Sequence, residues 1–197
     1  KKMDTALVSM VGAGAANIAI ARVLISAGVK QKNIIMADSK GILHTSRKDL
    51  EKEKNQNPEK WNMCLKSNAE GRTGSVSGAL MDTDICIAAS KPGPGTIKKE
   101  WITKMADDSI VFATANPVPE IWPWEAKEAG ARIIATGRSD FPNQINNSLG
   151  FPGIFRGTLD VRAETITDEM CIAAAYELAK TAEDHGLNDE YIVPTMD

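Results

Sequence analysis

The chain has 197 residues, 43% apolar and 25% charged, with a formal net charge of −3; that is enough for one sizeable domain with its own core. The acidic balance and the lack of basic–aromatic interleaving argue against nucleic acid or an anionic membrane surface as the main partner. No apolar stretch approaches the roughly 20 residues of a membrane span, and no signal-peptide layout opens the chain.

Lys1-Lys2-Met3-Asp4 leads almost at once into an apolar run, residues 5–11, the first predicted strand. Val11-Gly12-Ala13-Gly14-Ala15-Ala16-Asn17 follows and opens a helix predicted over residues 15–26. A strand ending in a glycine turn that starts a helix prepares a seat for a pyrophosphate. Gly12 permits the turn and Gly14 lets backbone approach the ligand. The first helical N–H groups, at Ala15, Ala16 and Asn17, face the phosphates. Asn17 stands where the third glycine of this fingerprint usually allows close helix–strand packing, so that packing is the feature in question.

Further short apolar runs at residues 33–37, 84–89, 109–114 and 132–135 read as strands covered on both faces. Helical patterns fall between them at residues 46–54, 76–81, 98–105 and 122–129. This alternation predicts one α/β domain over residues 1–197: a doubly wound, mostly parallel sheet with helices on both faces, Rossmann-like. Residues 47–73 are polar and read as a surface excursion containing one helical section, parts of it mobile. Residues 167–185 carry Met170, Ala174, Leu178 and Ala182 at helical spacing and predict a long last helix. Thr167-Asp168-Glu169 makes a suitable start for it.

Cys64, Cys86 and Cys171 are widely spaced and form no Cys-x-x-Cys pair. They read as small buried hydrophobes in a reducing, cytoplasmic setting. His44 and His185 have no metal-ligand spacing.

Asp38 closes the second strand, somewhat farther from Gly12 than the roughly 20 positions typical of a ribose-binding acid. Placement at a strand's carboxyl end suits it to that role, and Asp38-Ser39-Lys40-Gly41 also reads as a simple turn. Asp38 alone would repel a ribose 2′-phosphate and favour NAD. Ser39, Lys40, Arg47, Lys52 and Lys54 offer donors and charge that would favour NADP, so both cofactors stay open. Ser90-Lys91-Pro92-Gly93 follows the third of these strands, and Ala115-Asn116-Pro117-Val118-Pro119 the fourth. Both loops should line the crevice beyond the strand ends. The stretch from Gly137-Arg138-Ser139-Asp140 to Asn143-Gln144-Ile145-Asn146-Asn147 is dense in amides and charge. Neutral amides beside a nicotinamide can bind a substrate carboxylate or carbonyl, and the two adjacent asparagines before Phe151-Pro152-Gly153-Ile154 suit that role; a plain polar loop is the alternative.

The glycine turn, Asp38-Ser39-Lys40-Gly41, Asn116-Pro117-Val118-Pro119-Glu120-Ile121, Thr136-Gly137-Arg138-Ser139-Asp140 and Asn146-Asn147 through Ile154 together resemble the malic enzymes. The likeness is to the cofactor-binding domain of the short microbial type and spans nearly the whole chain. It implies oxidative decarboxylation of malate to pyruvate and carbon dioxide with reduction of NAD or NADP. By the same resemblance Asn116 and Asn147 meet malate, Asn146 lies close to the nicotinamide and Ser90 lies against the cofactor.

In that family the catalytic Tyr and Lys and the acidic ligands of a divalent Mg or Mn ion precede the glycine turn. The expectation is therefore a cofactor domain, inactive alone, that joins an N-terminal catalytic domain of the same chain in a homodimer or higher oligomer. A malolactic enzyme domain and a non-catalytic dinucleotide-sensing module are the alternative readings.

Overall fold

In this computed structural model, which describes residues 1–196, six strands form one sheet in the order β3-β2-β1-β4-β5-β6. They are β1 (Val8–Val11), β2 (Ile34–Asp38), β3 (Gly41–Ile42), β4 (Ile85–Ala88), β5 (Ile110–Ala113) and β6 (Ile133–Thr136). All neighbours pair parallel except β2 and β3, a two-residue antiparallel edge too short to show as alternation in the sequence. The five long strands fall where their apolar runs place them.

Successive β1 side chains serve opposite faces. Val8 and Met10 join Ile34, Met36 and Ile87 in one core, covered by Ala21 and by Met63 and Cys64. Val11 joins Ile35, Ala37, Cys86, Ala88, Val111 and Ile134 in the other, covered by Leu80, Ile102 and Ala126. Burial pushes the Cys86 thiol up to about 12, so it packs as an inert hydrophobe.

The helices on the first face are α1 (Ala15–Ser26) and α3 (Pro58–Lys66); α4 (Val76–Leu80), α5 (Lys99–Ile102) and α6 (Pro123–Glu128) cover the second. α2 (Lys48–Lys52) precedes α3. The 47–73 excursion is thus more ordered than its polarity suggested. Asn57-Pro58 is a helix start, with proline at the first position where no N–H is needed. The helix it opens buries Met63 and Cys64 and leaves Leu65 outside.

The larger correction concerns the end of the amide-rich stretch. It is not a loop throughout: α7 runs Asn147–Asp160, capped by Asn146, whose side-chain Oδ1 accepts from the Ser148 N–H. Three glycines and the internal Pro152 hide this helix from propensity. It is held by packing on α8 (Asp168–Gly186), which starts at the expected Thr167 cap. The Phe151 and Phe155 rings meet at a tilt with centroids 5.3 Å apart, both about half exposed. Among the described residues no helix is long and apolar enough to cross a membrane.

Candidate functional site

The strand order reverses between β1 and β4, and in an open parallel sheet a ligand crevice forms beyond the strand ends at such a reversal. There the two glycines of the first turn differ. Gly12 has φ +103°, and a Cβ on it would lie 2.5 Å from the Ala89 carbonyl oxygen. The protein's own backbone therefore requires glycine at that position. Gly14 has an ordinary extended φ of −89°, and among the described residues nothing beyond its immediate chain neighbours lies within 4 Å of where its Cβ would stand. Nothing inside the fold demands a glycine there, whereas a ligand resting on this backbone would.

Gly14, Ala15 and Ala16 are exposed, and the first N–H groups of α1 have no partner within the helix. This cradle fits a pyrophosphate. Asn17, by contrast, is fully buried. Its Nδ2 donates to the Val11 and Gly12 carbonyls, 2.9 Å each. Where the sequence suggested a ligand contact, the structure places a brace beneath the turn. Its Oδ1 is buried without a partner, and the side chain leaves the cradle open.

Asp38 ends β2 at the near side of the crevice, and both its oxygens are occupied. Oδ1 accepts from Arg47 Nη1 at 2.7 Å and from the Lys40 N–H at 2.9 Å. Oδ2 accepts from Lys60 Nζ at 2.8 Å and from Arg47 Nη2 at 3.2 Å. Burial alone would raise this carboxyl, but the hydrogen bonds from Arg47, Lys60 and the Lys40 amide outweigh it and hold it below the ordinary carboxylate range. Arg47 also grips Asp49, which Lys40 reaches at 3.2 Å.

Three cations thus face two carboxylates. Ser39, Lys40 and Arg47 line an adjoining cavity of about 360 Å³ with Ser75 and Trp101. Lys60 had no place in the sequence reading, because it rides on the unread α3.

At the far side, Asn116 is exposed beyond β5 and its amide lies over Gly137 at the end of β6. A Cβ on Gly137 would sit 3.2 Å from Asn116 Oδ1. Asn146 is spent internally as the α7 cap, and its Nδ2 donates to the Gly137 carbonyl at 3.2 Å. Asn147, the first residue of α7, is exposed. The structure therefore brings Asn116, Gly137 and Asn146 together, with Asn147 next in the chain.

Asn143, from the same amide-rich stretch, turns away from the crevice. It is buried and ties Ile134 to the Asp189 carbonyl and the Ile192 N–H. Ser90 follows β4, and both its N–H and its hydroxyl reach the Glu120 carboxylate. Glu120 is a site residue that sequence reasoning passed over, although it closes the quoted Asn-Pro-Val-Pro-Glu run. Among the described residues, no group of three or more His, Cys, Asp or Glu side chains could hold a metal ion.

Comparison with known proteins agrees with this fold. The family model described as malic enzyme, NAD binding domain, matches residues 1–197. A bifunctional malic/malolactic enzyme of Bacillus subtilis is 44% identical over 98% of the chain, which covers 45% of that protein. An NAD-dependent malic enzyme of Geobacillus stearothermophilus is 44% identical over 100% of the chain and 39% of the relative. The crystal structure of Entamoeba histolytica malic enzyme superposes with a TM-score of 0.95 at 49% identity, covering 100% of this chain and 40% of that one. The chain thus spans about two-fifths of the length of these proteins.

Proposed function

This chain belongs to the family of malic enzyme NAD-binding domains, and from that premise we propose that it seats the dinucleotide for oxidative decarboxylation of malate to pyruvate and carbon dioxide. When bound, the dinucleotide would supply the hydride acceptor. The chain's own residues bind and orient. The Gly12–Gly14 turn and the N–H groups of Ala15 and Ala16 hold the pyrophosphate. Asp38 and Ser39 face the adenosine ribose, and Ser90 and Asn146 frame the nicotinamide. Asn116 and Asn147 present neutral amides to malate.

The base, the acid and the divalent metal ligands come, in this reading, from an N-terminal catalytic domain of the same polypeptide. The exposed apolar face of α7 (Phe151, Phe155, Leu159) gives such a domain a surface to rest on. The assembled enzyme is a cytoplasmic homo-oligomer, and this domain alone does no chemistry.

The carrying observation is the open cradle at Gly14: a glycine that no internal contact explains, at the point where the strand order reverses. Calorimetric titration with NAD and with NADP tests it. Micromolar binding that Gly14→Val abolishes, with unchanged thermal stability, is the expected result. Equal binding by the valine variant removes the site from this turn.

The cage on Asp38 favours the phosphorylated cofactor. A ribose hydroxyl finds no free lone pair on a carboxylate that already accepts four hydrogen bonds, whereas a 2′-phosphate finds Ser39, Lys40 and Arg47 beside it. NADP should bind the tighter of the two. A tighter NAD would show that the cage opens to receive the hydroxyl.

A further inference from the structure

Glu120 is fully buried, and among the described residues its carboxylate oxygens bond to neutral donors. Its Oε1 accepts from the Ser90 N–H at 2.8 Å and from the Ser90 hydroxyl at 3.2 Å, and its Oε2 accepts from the Ala115 N–H at 3.0 Å. A buried carboxylate is tolerated when hydrogen bonds replace its water, and these three supply that replacement. Their origin is what matters. Ser90 belongs to the loop after β4 and Ala115 to the loop after β5, immediately before Asn116. Backbone bonds from Gly93 to Val118 (3.2 Å) and from Ile97 to Glu120 (3.0 Å) fasten the outer parts of the same loops. At the crevice Thr114 ties the start of the second loop to the end of β4, its N–H and hydroxyl both donating to the Ala88 carbonyl (3.0 and 2.7 Å), and Glu120 joins Ser90 to Ala115 just beyond; the Ser90 end also abuts Gly12, whose Cβ position lies 3.2 Å from Ser90 Cβ.

We propose that Glu120 is a positioning residue: its one carboxylate sets Ser90 and Asn116 in a common register, so that the nicotinamide half of the cofactor and the substrate amide are placed by the same group. The inference rests on the dinucleotide reading above. Glu120 touches neither ligand; it acts through the two loops. The isosteric Glu120→Gln keeps the volume but turns an NH₂ toward a backbone N–H, so one arm of the clamp must open. The bonds at Gly93 and Ile97 remain to hold the fold.

Two measurements test this. In the unaltered chain the amide hydrogens of Ser90 and Ala115 should exchange as slowly as those of the sheet. Exchange at the rate of the exposed loop residues around them would mean there is no clamp, whatever the chain binds. Calorimetry then compares NADP with 2′-phospho-ADP-ribose, which lacks the nicotinamide. E120Q should weaken NADP about tenfold while the truncated ligand changes by less than about twofold. Equal weakening of both ligands would reduce Glu120 to a fold-stabilising role and overturn the proposal, as would no weakening of either. If the unaltered chain binds no dinucleotide, the functional reading fails and hydrogen exchange alone decides the clamp.

Discussion

At the β2 end of the crevice a carboxylate, Asp38, is gripped by Arg47 and Lys60, while at the β4–β5 end another, Glu120, lies deeper and answers only to neutral N–H and O–H donors. The same functional group thus meets two environments. Ion pairs near the surface can trade one anion for another, and they respond to salt and pH. A carboxylate satisfied by amides in the interior is a fixed strut. On the reading proposed above, the difference divides the work: cations gather beside the ribose end of the crevice, while a carboxylate held by neutral donors sets the loops at the other end.

The largest effect should come from breaking the joint between the two ends. Gly12→Ala puts a Cβ at 2.5 Å from the Ala89 oxygen at φ +103°. Urea unfolding should show a loss of about 3 kcal/mol, while a neutral result would mean the turn can relax.

Next comes the charged end. Arg47→Ala leaves Asp38 to Lys60 and the Lys40 N–H, and NADP affinity should fall about 30-fold with NAD nearly unaffected. A uniform loss for both cofactors would instead mark Arg47 as purely structural.

At the neutral end, Asn147→Ala in the full enzyme should raise the malate KM about tenfold, leaving dinucleotide Kd unchanged. Equal losses would place Asn147 on the cofactor. Asp38→Asn is subtler and opposite in sign to Arg47→Ala. Freeing the two cations should tighten NADP about threefold, visible by calorimetry at low salt.

The smallest effect is the pH response of the cage. Because the folded Asp38 titrates below its ordinary value, its stabilising charge is fully present above about pH 4 and is lost as the pH falls through the lower folded value. Stability measured between pH 7 and 5 should therefore be flat in this respect. The acid-side decline should be shallower in D38N.

Much of this was legible in advance. Runs of Val, Ile and Ala located the five long strands, and α1 has the bounds its pattern predicted. Gly12 and Gly14 announced the turn, although only coordinates separate the one the fold needs from the one left open. Helices α3 and α7 escaped because their local signals point elsewhere. The first sits in a polar, charged stretch, and the second carries Gly150, Gly153, Gly157 and Pro152; tertiary packing overrides weak propensity in both. With α3 unread, Lys60 was invisible as a partner of Asp38. With α7 unread, the capping role of Asn146 was invisible.

The sequence by itself determined the alternation of strands and helices, the open parallel sheet and the place of the ligand turn, because periodicity, glycine conformation and handed crossovers act over short stretches of chain. Which polar groups stay free was decided only by the tertiary structure. Asn17 and Asn143 are consumed inside while Asn116 and Asn147 face out, and Asp38 and Glu120 end in opposite surroundings. That sorting depends on donors brought from distant segments, and a buried polar group must take whichever partner the packing delivers.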